Sequence, residues 1–127
     1  MNQASSRRVS RELQGHVLLL GLNRVEKRNA FDLELLNELS LAYGEFDRND
    51  EARVAVVFAH GDHFTAGLDL INVSGVMSGG WQPPLGGCDP WGVFAGPRVS
   101  KPVIVAAQGY CLTIGIELML AADINIC

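Results

Sequence analysis

Three short stretches carry the residue types that could do chemistry. In QGYCLTIGIELMLAAD, Gln108 to Asp123, a single full charge, Glu117, sits inside a run of apolar and small residues from Val103 to Ala122. An unpaired buried carboxylate costs several kcal/mol even after the protein relaxes around it. Either Glu117 reaches water, or the function keeps it there. It lies three residues after Ile114 and four before Ala121, so helical spacing puts it on one face with apolar neighbours. A carboxyl on an apolar wall has a raised pKa, which suits a general acid or base working near neutrality. Pairing with an Arg or Lys elsewhere in the fold is the other reading of the same residue.

The second stretch is FTAGLDL, Phe64 to Leu70, placed after a run that reads as a buried strand. Ala66 and Gly67 are small enough to let the backbone approach something closely, and Asp69 can cap a helix that starts just after. The peptide N–H groups of Leu68 and Asp69 then sit at a helix N-terminus, where negative charge is favoured. Taken alone, an Ala-Gly pair is more simply a tight strand-to-helix turn. The third stretch, AAQGYCLTIG, repeats the logic, with the N–H groups of Ile114 and Gly115 leading a helix. Two such ends beyond neighbouring parallel strands would aim two donors at one oxygen, the geometry of an oxyanion hole.

The remaining candidates are weaker. His60 and His63 could be bases but read more simply as exposed loop histidines, and Cys111 as a small apolar residue. Arg24, Lys27 and Arg28 form a basic cluster that is either a solvated loop or a contact for ligand phosphates. No metal-ligand spacing is present.

The elements that must position these residues alternate. HVLLLGL (16–22), RVAVVFAHG (53–61) and PVIVAAQG (102–109) read as buried strands, rich in branched residues as parallel strands are. Asp32 caps a helix to about Arg48 with Leu35, Leu36, Leu39, Ala42, Tyr43 and Phe46 on one face. A short helix runs into Val76, TIGIELMLAA (113–122) makes another of about three turns, and DINIC (123–127) begins a strand. Between Ser78 and Pro97 glycine, proline and tryptophan dominate without a period, as in functional lids or partly mobile segments. Strands alternating with helices predict an α/β fold with a mainly parallel sheet, and the terminal strand suggests a fold cut before its last elements. Residues 1–15 are expected to be a flexible N-terminal segment and 16–127 the domain.

The 127 residues, 48% hydrophobic and 19% charged, suit one globular unit. A net charge of −4 and the absence of any long basic run argue against a nucleic-acid partner. Three cysteines without CxxC, and an N-terminus with no apolar core, fit a reducing, cytoplasmic setting. Glu117 and two glycines within the long apolar stretch favour a buried strand and helix over a membrane span.

The segments GLNRVEKRNAF, DEARVAVVFAHGDHFTAGLDL and KPVIVAAQGYCLTIGIELMLAADINI, in this order and spacing, resemble the N-terminal half of the enoyl-CoA hydratase/isomerase (crotonase) family. The resemblance implies a spiral of ββα units, assembly as trimers or paired trimers, and acyl-CoA thioester substrates whose enolate two backbone N–H groups stabilise. Position by position it implies Leu68 as the first donor, Ile114 as the second and Glu117 as the first of two hydratase glutamates. Ala66, Gly67 and Asp69 surround the first donor. The EKRNA segment, with Lys27, Arg28, Asn29 and Ala30, matches the stretch lining the coenzyme A adenine and phosphates, with Arg24 nearby. Coenzyme A enters as part of the substrate, and no separate cofactor is expected. Ile114 replaces the middle glycine of a Gly-Gly-Gly, and the second glutamate falls in family members beyond Cys127. Hydration of a 2-enoyl-CoA is the leading expectation, with isomerisation, thioester hydrolysis or non-catalytic thioester binding as alternatives.

Overall fold

The computed structural model describes residues 7–127, with side chains omitted at 76–79. Its frame is one five-stranded sheet whose spatial order follows the chain: β1 (Val9–Gln14), β2 (Val17–Leu22), β3 (Val54–Ala59), β4 (Val103–Ala106) and β5 (Ile124–Ile126). The β1–β2 pair is antiparallel, and every later pairing is parallel. Parallel neighbours need crossovers. These are α1 (Leu33–Arg48), then α2 (Leu70–Gly79) with a long connection, then α3 (Ile114–Ala121).

The β1 strand corrects the expectation of a flexible segment over 1–15, because residues 9–14 pair along their whole length with β2. Its sequence, VSRELQ, is polar, since only Val9 is fully buried while Leu13 and its neighbours face solvent. A strand with one wet face carries little apolar signal. Gly15, at φ +61°, forms the two-residue turn that closes this hairpin. Residues 1–6 lie outside the described part of the chain.

Elsewhere the pattern in the sequence and the structure agree closely. Asp32 caps α1 by accepting the Leu35 N–H at 2.8 Å, and Leu35, Leu36, Leu39, Ala42, Tyr43 and Phe46 form its buried stripe. That stripe packs on Leu18, Leu20, Leu22, Ala55 and Val57 of the sheet as the main core. The 80–102 connection is tied down rather than loose. Ser40 Oγ donates to the Cys88 carbonyl, and Trp81 Nε1 to Asn37 Oδ1 at 3.0 Å. Lys101 Nζ donates to the Asn49 and Ala52 carbonyls, and lies 4.7 Å from the Phe46 ring centre. Both tryptophans are buried, because their rings and Phe94 pack edge to face and fill the space beside α1. Among the described residues, no helix is long and apolar enough to cross a membrane.

Candidate active site

The two predicted donor segments meet beyond the strand ends. Isolated parallel bridges join Thr65 to Cys111 and Phe31 to Leu68. The candidate donors Leu68 and Ile114 each follow the first bridge by three residues, so the two segments leave it side by side. Gly67, at φ +105°, is required here, because a Cβ on it would sit 2.7 Å from Thr113 Oγ1. Gly115 is required for a similar reason: its Cβ would lie 2.5 Å from the Thr65 methyl and 3.1 Å from Cys111 Sγ.

The hydrogen bonds through this region isolate one donor. Phe64 N–H donates to the Gln108 carbonyl, Thr65 to Tyr110, Ala66 to Arg28, and Asp69 to Phe31, at 2.7 to 2.9 Å. Gly67 N–H donates to Thr65 Oγ1 at 3.1 Å. From Phe64 to Asp69, only Leu68 N–H has no acceptor among the described residues. The cause is parallel-bridge geometry: Phe31 bonds the residues flanking Leu68, through Gly67 O and Asp69 N, so the amide of Leu68 itself points the other way. Ile114 N–H, at the first position of α3, is likewise without an acceptor among the described residues. An unmet donor on a buried backbone is costly. Two such amides, of Leu68 and Ile114, lie on adjoining segments.

Thr113, which caps α3, adopts φ +43°, ψ −101°, a region that favours glycine. The strained residue is therefore Thr113, one position before Ile114. Ile114 is buried, and its carbonyl accepts the Trp91 indole N–H at 3.1 Å.

Glu117 departs from the expectation of a buried carboxylate. It is exposed on α3, and no ion-pair partner for it occurs among the described residues. The short helix turns Ile114, Gly115 and Leu118 inward, which leaves Glu117 on the rim. There it lines an open cleft of about 340 Å³ with Trp91, Val93, Arg98, Leu120 and Ala121.

The basic cluster divides. Arg24 is buried: its Nη1 donates to Asp69 Oδ2 and to the Ala30 carbonyl, both at 3.0 Å, and its Nε lies 3.6 Å from Asp32 Oδ2. Asn29 is buried too, giving its amide hydrogens to the His60 and His63 carbonyls and accepting from Arg24 N–H. These two residues build the 24–30 turn rather than present themselves to a ligand. Asp69 is held below the usual carboxylate range, chiefly by the Arg24 hydrogen bond. Lys27 and Arg28 remain exposed, and the Arg28 guanidinium lies 5.9 Å from the Tyr110 ring centre. Arg28 and Asn29 also border a cleft of about 270 Å³ with Val25, His60, Asp62 and His63.

Neither histidine faces the donor pair as a base. His63 stacks on Tyr110 at 4.2 Å and accepts the Tyr110 N–H through Nδ1, while His60 Nε2 meets Ser10 Oγ at 2.7 Å. Cys111 packs against Met119, with its thiol pushed up by burial. No group of three or more metal-ligating side chains occurs among the described residues. Trp91 and Phe31 touch the two donor segments, Trp91 through the Ile114 carbonyl and Phe31 through Gly67 O and Asp69 N. Their apolar character looks like any core residue's, and nothing in the spacing links them to the donors.

The structure is thus an α/β chain in which the amides of Leu68 and Ile114, on adjoining segments, have no acceptor among the described residues. Residues 12–127 match the enoyl-CoA hydratase/isomerase family model, and the chain belongs to that family. It is 37% identical over 114 residues to the mevalonyl-coenzyme A hydratase of Aspergillus fumigatus, covering 86% of this chain and 40% of that protein. It is 32% identical over 127 residues to the mitochondrial Δ(3,5)-Δ(2,4)-dienoyl-CoA isomerase of Rattus norvegicus, covering 90% and 38%. A crystal structure described as a probable enoyl-CoA hydratase/isomerase from Mycobacterium abscessus superposes with a TM-score of 0.88 at 48% identity, covering 94% of this chain and 46% of that one. These neighbours share the crotonase-type fold, and the chain spans under half the length of each relative.

Proposed function

We propose that the chain forms part of an enzyme acting on acyl-CoA thioesters, most directly the hydration of a 2-enoyl-CoA. The observation that carries this is the lone free amide of Leu68 beside the free amide of Ile114. Both would donate to the thioester carbonyl and bind it more tightly as negative charge develops on its oxygen. Removing one such donor costs about 2.7–4 kcal/mol of transition-state stabilisation. Water adds its oxygen to C3 of the enoyl group, the electron pair moves to the thioester oxygen, and C2 then takes a proton. Glu117, at the rim of the adjoining cleft, orients that water or moves the proton. Its exposure in this chain matters less for this role than its free carboxylate.

Double-bond isomerisation is the second reading, favoured by the similarity to dienoyl-CoA isomerases. The same donor pair would hold the dienolate while a proton moves between carbons. Lys27, Arg28 and Ala30 are the proposed contacts for the coenzyme A moiety. A homotrimer or paired trimer, a cytoplasmic location, and no cofactor beyond the coenzyme A of the substrate complete the proposal. The 127-residue chain by itself is expected to be inactive. The test is the full-length protein incubated with a series of 2-enoyl- and 3,5-dienoyl-CoA thioesters, following loss or shift of the conjugated absorbance. Hydration supports the first reading and isomerisation the second. No turnover and no thioester binding would overturn both.

A further inference from the structure

We propose that Trp91 is a positioning residue that sets the separation of the two amide donors. The inference concerns the Leu68–Ile114 pair and so rests on the oxyanion reading above. Trp91 lies in the glycine-rich connection, yet it is buried and held from both sides of its backbone. Asp89, itself buried, accepts the Trp91 N–H at 2.9 Å and the Phe94 N–H at 2.6 Å, which closes the loop into a fixed turn. The indole then makes two directed contacts. Its Nε1–H donates to the carbonyl of Ile114, the residue that carries the second donor. Its ring packs edge to face on Phe31 at 5.8 Å and 73°. Phe31 is the residue whose backbone bonds Gly67 O and Asp69 N and so aims the first donor.

One side chain therefore reaches both halves of the donor pair. Space filling alone does not explain it, because an apolar side chain would fill the site without burying a donor that needs a partner. Nor does α3 need the indole, since a helix carbonyl already serves the N–H four residues on. The bond acts as an added restraint at the point where Thr113 strains the backbone. Without it, the first turn of α3 is free to relax and carry the Ile114 amide away from Leu68.

The test is Trp91→Phe in the full-length protein, which keeps an aromatic ring near Phe31 and removes the indole N–H together with the second ring. Two readouts separate positioning from bulk structure. The first is hydrogen exchange at the Gly115 and Glu117 amides, which bond the Leu112 and Thr113 carbonyls at the start of α3. The second is the red shift in absorbance of a bound cinnamoyl-CoA, which reports how strongly the carbonyl is polarised. Exchange at these two amides should rise about tenfold, more than any fall in global stability from the lost ring accounts for, the red shift should shrink, and kcat should fall about tenfold with KM nearly unchanged. Phe31→Leu, which cuts the ring contact from the other side, should move the red shift in the same direction and covers the case of a poorly folding Trp91 variant. Unchanged exchange and an unchanged red shift in a folded variant would overturn the proposal. If the wild-type protein itself polarises no thioester but exchange still rises, the strut stands and the acyl-CoA reading falls.

Discussion

Glu117 is a free carboxylate on a helix rim, so its proposed catalytic role can be tested apart from any structural one. Because no cation among the described residues pairs with it, Glu117→Gln should change unfolding free energy by no more than about 0.5 kcal/mol. Turnover of an enoyl-CoA by the full-length variant should nonetheless fall by about 10²–10⁴-fold, with thioester affinity nearly unchanged. Kinetics and urea unfolding on the one variant check both halves, and ordinary turnover would remove Glu117 from the chemistry. Thr113 offers a second test. Its φ of +43° costs a β-branched residue conformational energy that glycine does not incur. Thr113→Gly should raise stability by about 1 kcal/mol, net of the extra freedom glycine gains in the unfolded chain. A loss of stability in urea titration would mean that the side chain contributes more than the strain costs.

The element that fixes the first donor segment is the turn at 24–30, with Arg24 as its clamp. Its side chain is 10% exposed and joins Asp32 at the cap of α1 to Asp69 before α2. Arg24→Met leaves Asp32, which is 6% exposed, with only Arg8 as a partner. Stability should drop by about 3 kcal/mol, through the buried Asp32 charge left short of a counter-ion. The acid dependence follows from Asp69. Its folded pKa is depressed below the ordinary 3.8, first by the Arg24 hydrogen bond. Its contribution is therefore complete above the unfolded value and lost as pH falls through the lower, folded one. Asp69→Asn should flatten the part of the stability curve below about pH 4, relative to wild type. Denaturant midpoints at pH 7 and pH 3 measure this, and parallel curves would contradict the clamp.

At the scale of the molecule, one side remains apolar and open. Ile116, Leu120, Ile124 and Ile126, with Tyr110 and Leu112, stand about half exposed or more along α3, β5 and the loop before them. The last strand offers an unpaired edge beside this patch, a combination that favours association. The 127-residue chain on its own is expected to self-associate at micromolar concentration, and Leu120→Lys to reduce that. Sedimentation equilibrium decides, and a strictly monomeric wild-type chain would contradict the expectation.

Much of this architecture is legible in the amino-acid sequence, because its causes are local. Branched runs at 17–22, 54–59 and 103–106 have the composition of buried parallel strands, and Asp32 followed by an apolar stripe determines α1. The AGLDL and TIGIE stretches likewise mark where two backbone donors emerge. Four features depend on contacts between distant segments. Residues 9–14 form a strand because β2 offers an edge, not because VSRELQ carries an apolar pattern. Arg24 resembles any loop cation until Asp32 and Asp69 are brought around it. The freedom of the Leu68 amide, and the seating of Trp91 between Phe31 and Ile114, are decided only by tertiary structure, since a hydrogen bond left unmade depends on where every neighbouring acceptor has gone.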